Sequence, residues 1–416
     1  MGYEPLNTPH RTIMTPGPVE VDPRVLRAMS TPILGQFDPA FTKLMNEVMA
    51  MQRAVFQTNN HWAFPIDGTS RAGNEALLAS IIEPGDKVFV PIYGRFGHLL
   101  VEICERYGAE VHTIQCPWGE VFDPQVLIEE LTKVSPKIVA IVHGETSTGR
   151  MQPLAEIGKA CREQDVLLVV DAVASIGGVE VKTDEWQIDG IIGGTQKCLS
   201  VPSGMAPITF NERIEKLILE RKKVEAGIAT EADQRYKRSR LAIASNYFDL
   251  SMLMDYWSPR RLNHHTEATS MIYALHEGLR LVLGEGLDNR FARHKLHEKA
   301  LVAGIEAMGL SLFGDARHKL PCVTCIEIPG GVDGESVRNM LLEDFSIEIA
   351  PSFGPLHGKI WRIGTMGYSC RKENVLAVLG ALEAVLIRHT VAVNRGEALQ
   401  AALDVYATEG KKTGIL

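Results

Sequence analysis

No apolar run in this 416-residue chain approaches the roughly 18–20 residues that a membrane-spanning helix needs. Residues 1–11 are polar and include Pro5 and Pro9, so no signal peptide is expected and a cytoplasmic location is. The chain also lacks a strong charge of one sign. Its formal net charge is −8 with both signs spread throughout, which argues against a nucleic-acid or membrane-surface partner. The seven cysteines are odd in number and scattered, which suits a reduced chain without structural disulfides. Cys322 and Cys325 form a lone C-x-x-C in a β-like stretch with Val323, Ile326 and Ile328 and read as structural, because zinc sites usually show two such pairs. The doublet His264-His265 has no partner at metal-ligand spacing, so no metal is expected. Neither G-x-G-x-x-G after a strand nor G-x-x-x-x-G-K-[ST] occurs, which removes the usual support for a dinucleotide or nucleoside triphosphate. Internal repeats and low-complexity tracts are absent too.

What is there is an alternation. Between about residues 62 and 210, short β-branched runs alternate with helical segments. Helices are expected over 70–82, 97–107 and 154–163, and strands over 87–91, 110–114, 137–142, 166–171 and 188–193. Continuous apolar runs such as Val166 to Val170, separated by helices, indicate a mostly parallel α/β sheet. Further on, 266–283 is one long helical pattern stopped by Gly284 and Gly286, followed by a helix to about 308. Strands at 322–328, 347–350 and 360–363 then alternate with helices at 335–343 and 373–387, as in a smaller α+β domain. The tail from 392 reads as one helix and a polar end.

In an open parallel sheet, ligands gather beyond the carboxyl ends of the strands. Three clusters of polar residues fall there: Asp67-Gly68-Thr69-Ser70-Arg71, His143-Gly144-Glu145-Thr146-Ser147-Thr148-Gly149, and Asp171 with Thr195-Gln196-Lys197. Gly68-Thr69-Ser70 at a helix start offers hydroxyls and backbone N–H groups to an anion, although Thr69 or Ser70 serves equally well as a plain N-cap. Asp171 ends five apolar residues and is either a functional carboxylate or a helix cap. Lys197 follows a strand and a Gly-Gly-Thr turn, and a lone lysine is ordinarily a solvated charge. Taken together, these parts suit pyridoxal 5′-phosphate. That cofactor needs a phosphate cradle, a lysine to form an imine, and a carboxylate to keep its pyridine nitrogen protonated as an electron sink.

The Asp171-x-Val173 … Gln196-Lys197 spacing, the stretch 143–149, Asn263-His264-His265-Thr266 and Gly358-Lys359-Ile360-Trp361-Arg362-Ile363-Gly364 resemble the alanine–glyoxylate/serine–pyruvate aminotransferase family. The likeness runs from Thr15-Pro16-Gly17-Pro18 to about Ile387. It implies a class V transaminase of fold type I, with an N-terminal arm over 1–16, a large cofactor-binding domain over 17–285 and a small C-terminal domain over 286–416. It also implies roles. Thr69, Ser70, Arg71 and Gln196 would hold the phosphate, Phe96 would stack on the ring, and Val173 would pack beneath it. Thr146 would bond near the ring hydroxyl, Asp171 would bond the ring nitrogen, and Lys197 would form the imine. Arg362 would clamp the substrate carboxylate, and Asn263 and Thr266 would enter the partner's site in a homodimer with shared active sites, Thr266 bonding the phosphate held there.

Relatives of the alanine–glyoxylate type carry Tyr where this chain has Asn263, and a small residue where it has Gln36. The two amides resemble the branch that moves the amino group of (S)-ureidoglycine to glyoxylate, giving glycine and oxalurate in purine breakdown. That reaction is the expected function, with Gln36 and Asn263 reading the ureido group. Alternatives are an alanine- or serine–glyoxylate or pyridoxamine–pyruvate aminotransferase, or, in another class, a non-catalytic cofactor- or nucleotide-binding module. Cysteine desulfurases share the fold but usually place His beside the lysine, where this chain has Gln196.

Overall fold

The computed structural model describes residues 2–235 and 238–413. The backbone divides into two units. One comprises Val21–Phe291 with Gly314–Leu320, and the other Met1–Glu20, Ala292–Phe313 and Pro321–Leu416. The first twenty residues thus cluster with the C-terminal unit, whereas the sequence suggests a separate arm over 1–16 and a boundary at 285.

The larger unit is organised on seven strands: β1 Trp62–Gly68, β2 Lys87–Ile92, β3 Glu110–Gln115, β4 Ile138–Val142, β5 Leu167–Asp171, β6 Gly190–Ile192 and β7 Gly204–Phe210. Their order across the sheet is β1-β7-β6-β5-β4-β2-β3. All neighbours are parallel except β7, which runs antiparallel to both β6 and β1. Apolar strands such as Ile138–Val142 and Leu167–Asp171 are buried at every position, because helices cover both faces. Helix Ser70–Ile81 lies close on the sheet through Gly73, where a Cβ would stand 2.9 Å from both Ala206 and Ile192. Two helices that sequence periodicity did not single out, Pro39–Phe56 and Leu250–Trp257, complete the hydrophobic core through Phe41, Met45, Phe56, Leu253 and Trp257.

The long helix expected from 266 begins instead at Thr269 and runs to Glu285. Ala268 is outside the helical range at φ −74° and ψ 71°, and its N–H donates to the Asp67 carboxylate at 3.1 Å as a helix-start N–H free of intrahelical partners.

In the other unit, Ile360–Gly364 is the central strand, flanked antiparallel by Val323–Glu327 and Ala350–Pro351. Helices Gly334–Phe345, Lys372–Arg388 and Glu397–Thr413 accompany this sheet, and Trp361, Ile363, Val378 and Leu382 are in its core. The tail's expected polar end (414–416) lies outside the described residues. Thr12–Ile13 pairs in parallel with Ile347–Glu348, which accounts for the N-terminal residues clustering here. All seven cysteines are thiols, and six of them are buried. No described helix is long and apolar enough to cross a membrane.

Candidate active site

Beyond the carboxyl ends of β4, β5 and β6, a cleft of about 180 Å³ is lined by Thr69, Ser70, Arg71, Phe96, Thr146, Asp171, Val173, Gln196 and Lys197. The fold therefore brings together nine residues that the sequence had placed at one site. Asn74, Leu99, Val142, Gly144 and Ala174 complete the wall.

Each polar group is held by a local device. Thr69 occupies the N-cap of helix Ser70–Ile81, yet its side chain makes no capping bond, while the Ser70 hydroxyl donates to Gln196 Oε1 at 2.9 Å. The plain capping reading therefore does not describe Thr69. Gly194 lets the turn before Lys197 pass the cleft: a Cβ there would lie 2.5 Å from Ser70 Oγ and 2.6 Å from Val173 Cγ1. Such a contact closes the cradle to any larger residue.

Asp171 is nearly inaccessible to solvent. Its Oδ1 accepts from the Val173 N–H at 3.0 Å and its Oδ2 from Asn74 Nδ2 at 2.9 Å. Burial pushes its carboxyl above the ordinary aspartate range, while the Val173 N–H, the Asn74 amide and the nearby Lys197 charge pull it back down. Lys197 is 8% exposed, unlike an ordinary solvated lysine.

Phe96 is positioned by Glu145, which the sequence places in the 143–149 cluster without a role of its own. Glu145 is fully buried, accepts from the Phe96 N–H at 2.8 Å, and accepts from both the Ser147 N–H and hydroxyl at 2.9 and 2.6 Å. The Ser147 hydroxyl oxygen in turn accepts the Arg95 N–H at 3.0 Å. A Cβ on Gly94 would stand 2.3 Å from Glu145, so the turn before Phe96 requires glycine. Asn74 was also missed. Its signal was available, because Ser70 and Asn74 are four apart on one helix and share a face.

The remaining expected residues lie elsewhere. Gln36 and Asn263 meet each other rather than the cleft wall, with Gln36 Nε2 donating to Asn263 Oδ1 at 2.8 Å. Thr266 is exposed. Arg362 is on the central strand of the other unit, 5% exposed, with its Nε donating to Pro351 O at 2.7 Å and its guanidinium 4.6 Å from the Phe353 ring centre. His265 has partners that spacing did not reveal, since the fold carries Asp67 and Glu267 to it.

The cleft's chemistry fits pyridoxal phosphate. Thr69, Ser70, Arg71 and Gln196 gather donors at one end, and a buried carboxylate waits at Asp171. Apolar surface from Phe96, Leu99, Val173 and Ala174 flanks the space between, and an amine at Lys197 lines the same cavity.

The chain is similar to known proteins over nearly its whole length. Over 414 residues, covering all of both chains, the sequence is 70% identical to (S)-ureidoglycine–glyoxylate transaminase of Bacillus subtilis. The crystal structure of ureidoglycine–glyoxylate aminotransferase from Bacillus subtilis superposes with a TM-score of 0.92 at 68% identity, covering 97% of this chain and 100% of that one. An alanine–glyoxylate aminotransferase from Nostoc sp. gives a TM-score of 0.86 at 41% identity, over 93% and 98% of the two chains. The overall architecture is accordingly the α/β aminotransferase fold of type I. The aminotransferase class-V family profile matches residues 33–355, and the chain belongs to that family.

Proposed function

We propose that this chain is a pyridoxal-phosphate-dependent transaminase that moves the amino group of (S)-ureidoglycine to glyoxylate, giving glycine and oxalurate. The observation that carries the reading is the full-length 70% identity to a transaminase of that name, joined to a cleft that gathers a lysine, a buried aspartate and an anion cradle. Pyridoxal phosphate, when bound, supplies a carbonyl that exchanges amino groups and a ring that accepts the electron pair left at the substrate's Cα.

The chain's own residues supply the rest. Thr69, Ser70, Arg71 and Gln196 would hold the phosphate by hydrogen bonds and charge. Asp171, fixed by Asn74 and the Val173 N–H, would hold a proton at the ring nitrogen. That proton matters most when negative charge develops, so Asp171 acts in the transition state more than in the ground state. Phe96 and Val173 would confine the ring between two apolar surfaces, with Thr146 bonding near its hydroxyl. Lys197 Nζ would anchor the cofactor between turnovers and, once released, carry the proton away from the substrate's Cα. Arg362 would clamp the α-carboxylate with a planar pair of donors. Gln36 and Asn263 would recognise the ureido group. We further assign the protein to the cytoplasm as a homodimer with shared sites, Asn263 and Thr266 serving the neighbouring subunit.

A donor screen with glyoxylate as acceptor, including freshly generated ureidoglycine, tests the proposal. Ureidoglycine should give the highest kcat/KM, and the yellow protein should bleach on adding it. A preference for alanine or serine returns the chain to the broader glyoxylate aminotransferases. A colourless protein, or a yellow one that no amino compound bleaches, points to binding without catalysis.

A further inference from the structure

Close to the phosphate-cradle turn, four buried polar atoms lack hydrogen-bond partners: Asp67 Oδ1, both carboxyl oxygens of Glu267 and the Tyr256 hydroxyl. Such an atom is costly to leave unmade, and four in one place call for a common cause. Asp67 is the penultimate residue of strand β1, and Glu267 sits just before the helix that begins at Thr269. The two carboxyls and the His265 imidazole lie within 4.8 Å of one another. Asp67 Oδ2 is already satisfied by His265 Nε2 and by the Ala268 N–H, each at 3.1 Å. Asp67 Oδ1 and the two Glu267 oxygens are left as three acceptors with no donor between the carboxyls.

We infer that Glu267 is a neutral carboxylic acid, and that its proton, donated to Asp67 Oδ1, fastens residues 263–268 to the end of β1. One proton removes the conflict between the carboxyls: Glu267 donates it to Asp67 Oδ1, and the Tyr256 hydroxyl is a further polar group beside the pair. The choice of which carboxyl keeps the proton follows from their surroundings. Asp67 has two donors to stabilise its charge, whereas the Glu267 side chain is completely buried and 3.9 Å from His265. Burial and the Asp67 charge push Glu267 well above the ordinary carboxylate range, and His265 and Ala268 hold Asp67 below it. The other groups facing Glu267 are Arg261 and Tyr247, and neither offers it a hydrogen bond in the structure.

A bound cation is the competing way to relieve two facing carboxyls. It would need the His265 Nε2 lone pair, and that nitrogen is at hydrogen-bond distance from Asp67 Oδ2. Glu267 is therefore a positioning residue. It acts through Asp67 and His265 on a segment that carries Asn263 and Thr266, and this role is independent of which amino donor the protein uses.

Glu267→Gln keeps the shape and stays uncharged, so it replaces the acid with an amide that still donates to Asp67. Infrared difference spectra of parent against Glu267→Gln, near neutral pH, should show a protonated-carboxyl C=O band present in the parent only. Hydrogen exchange of the peptide spanning 263–268 should be unchanged within about twofold in Glu267→Gln and about tenfold faster in Glu267→Ala, matching one lost buried hydrogen bond. Thermal unfolding gives an independent reading. A folded-state pKa above the unfolded value stabilises below the ordinary carboxylate range and is lost as pH rises. Glu267→Gln should thus gain on the parent between mildly acidic and alkaline pH. Loss of only carboxylate bands in the difference spectrum, or a stoichiometric metal ion in the parent that Glu267→Gln lacks, would overturn the assignment. So would an unfolding profile for Glu267→Gln that falls below the parent across the same range. If Glu267→Ala does not fold, the Gln spectra and unfolding curves decide the matter.

Discussion

Gln36 and Asn263, 227 positions apart, are joined in one chain by a 2.8 Å hydrogen bond from Gln36 Nε2 to Asn263 Oδ1. The bond orients the pair and leaves Gln36 Oε1 as a buried acceptor without a partner. A ureido group presents N–H donors to such an acceptor, whereas the methyl of alanine leaves it unmet at a cost of about 1–3 kcal/mol. Replacing Gln36 by Ser and Asn263 by Tyr should shift the kcat/KM ratio of ureidoglycine to alanine toward alanine by about tenfold or more, roughly 1.4 kcal/mol. Because the side chains touch, the two single changes should not add, with a coupling of about 0.5–3 kcal/mol in a double-mutant cycle. An unchanged ratio in a protein that still binds cofactor would remove both amides from the specificity argument.

The same bond constrains any shared-site dimer, since Gln36 must travel with Asn263 to whichever site Asn263 serves. Mixing Lys197→Ala chains with chains disabled at Asn263 and Thr266 should restore activity, because one site per hybrid regains all its parts. Subunit exchange should be followed independently by mass spectrometry. Demonstrated exchange with no recovery of activity would argue that each chain completes its own site.

Lys197→Ala should still bind pyridoxal phosphate through the cradle of Thr69, Ser70, Arg71 and Gln196. Borohydride should then fail to fix the cofactor to the chain. Labelling as strong as in the parent would mean that another lysine makes the covalent link.

Asp171→Asn preserves the shape of the site and removes the charge. Activity should fall about 10²-fold or more, with a much smaller change in cofactor content, as expected of an interaction that counts most in the transition state. Near-parental turnover would reassign Asp171 to a structural role.

Asn74→Ala removes one of the two hydrogen bonds that stabilise the Asp171 carboxylate. Burial already holds that carboxyl high, and the Asn74 bond lowers it, so losing the bond raises it further. The acid limb of the kcat/KM profile should therefore move to higher pH. An unmoved limb accompanied by a uniform loss of activity would indicate that Asn74 shapes the cleft without tuning Asp171.

Sequence alone was enough to place the parallel strands, because runs such as Val166 to Val170 are apolar at every step and such strands must be covered on both faces. The cleft was legible for a related reason: its lining residues follow the strands directly, so local chemistry and one topological rule locate them. What tertiary structure decided is everything that depends on distant segments meeting. Asn74 reaches Asp171 across 97 positions, and Glu145 reaches the Phe96 N–H across 49. Thr12–Ile13 joins Ile347–Glu348, so the first residues cluster with the last ones rather than stand apart. Strand Gly204–Phe210 inserts antiparallel between β6 and β1, and no period-2 pattern announces which neighbours it will have. Residues 266–268 satisfy helical periodicity, yet Ala268 takes a non-helical backbone (φ −74°, ψ 71°) beside Asp67 and the helix starts at Thr269. Periodicity records what a segment prefers in isolation. It cannot record a contact such as that of Asp67 with the Ala268 N–H, 201 positions on, because such contacts form only when distant segments pack together.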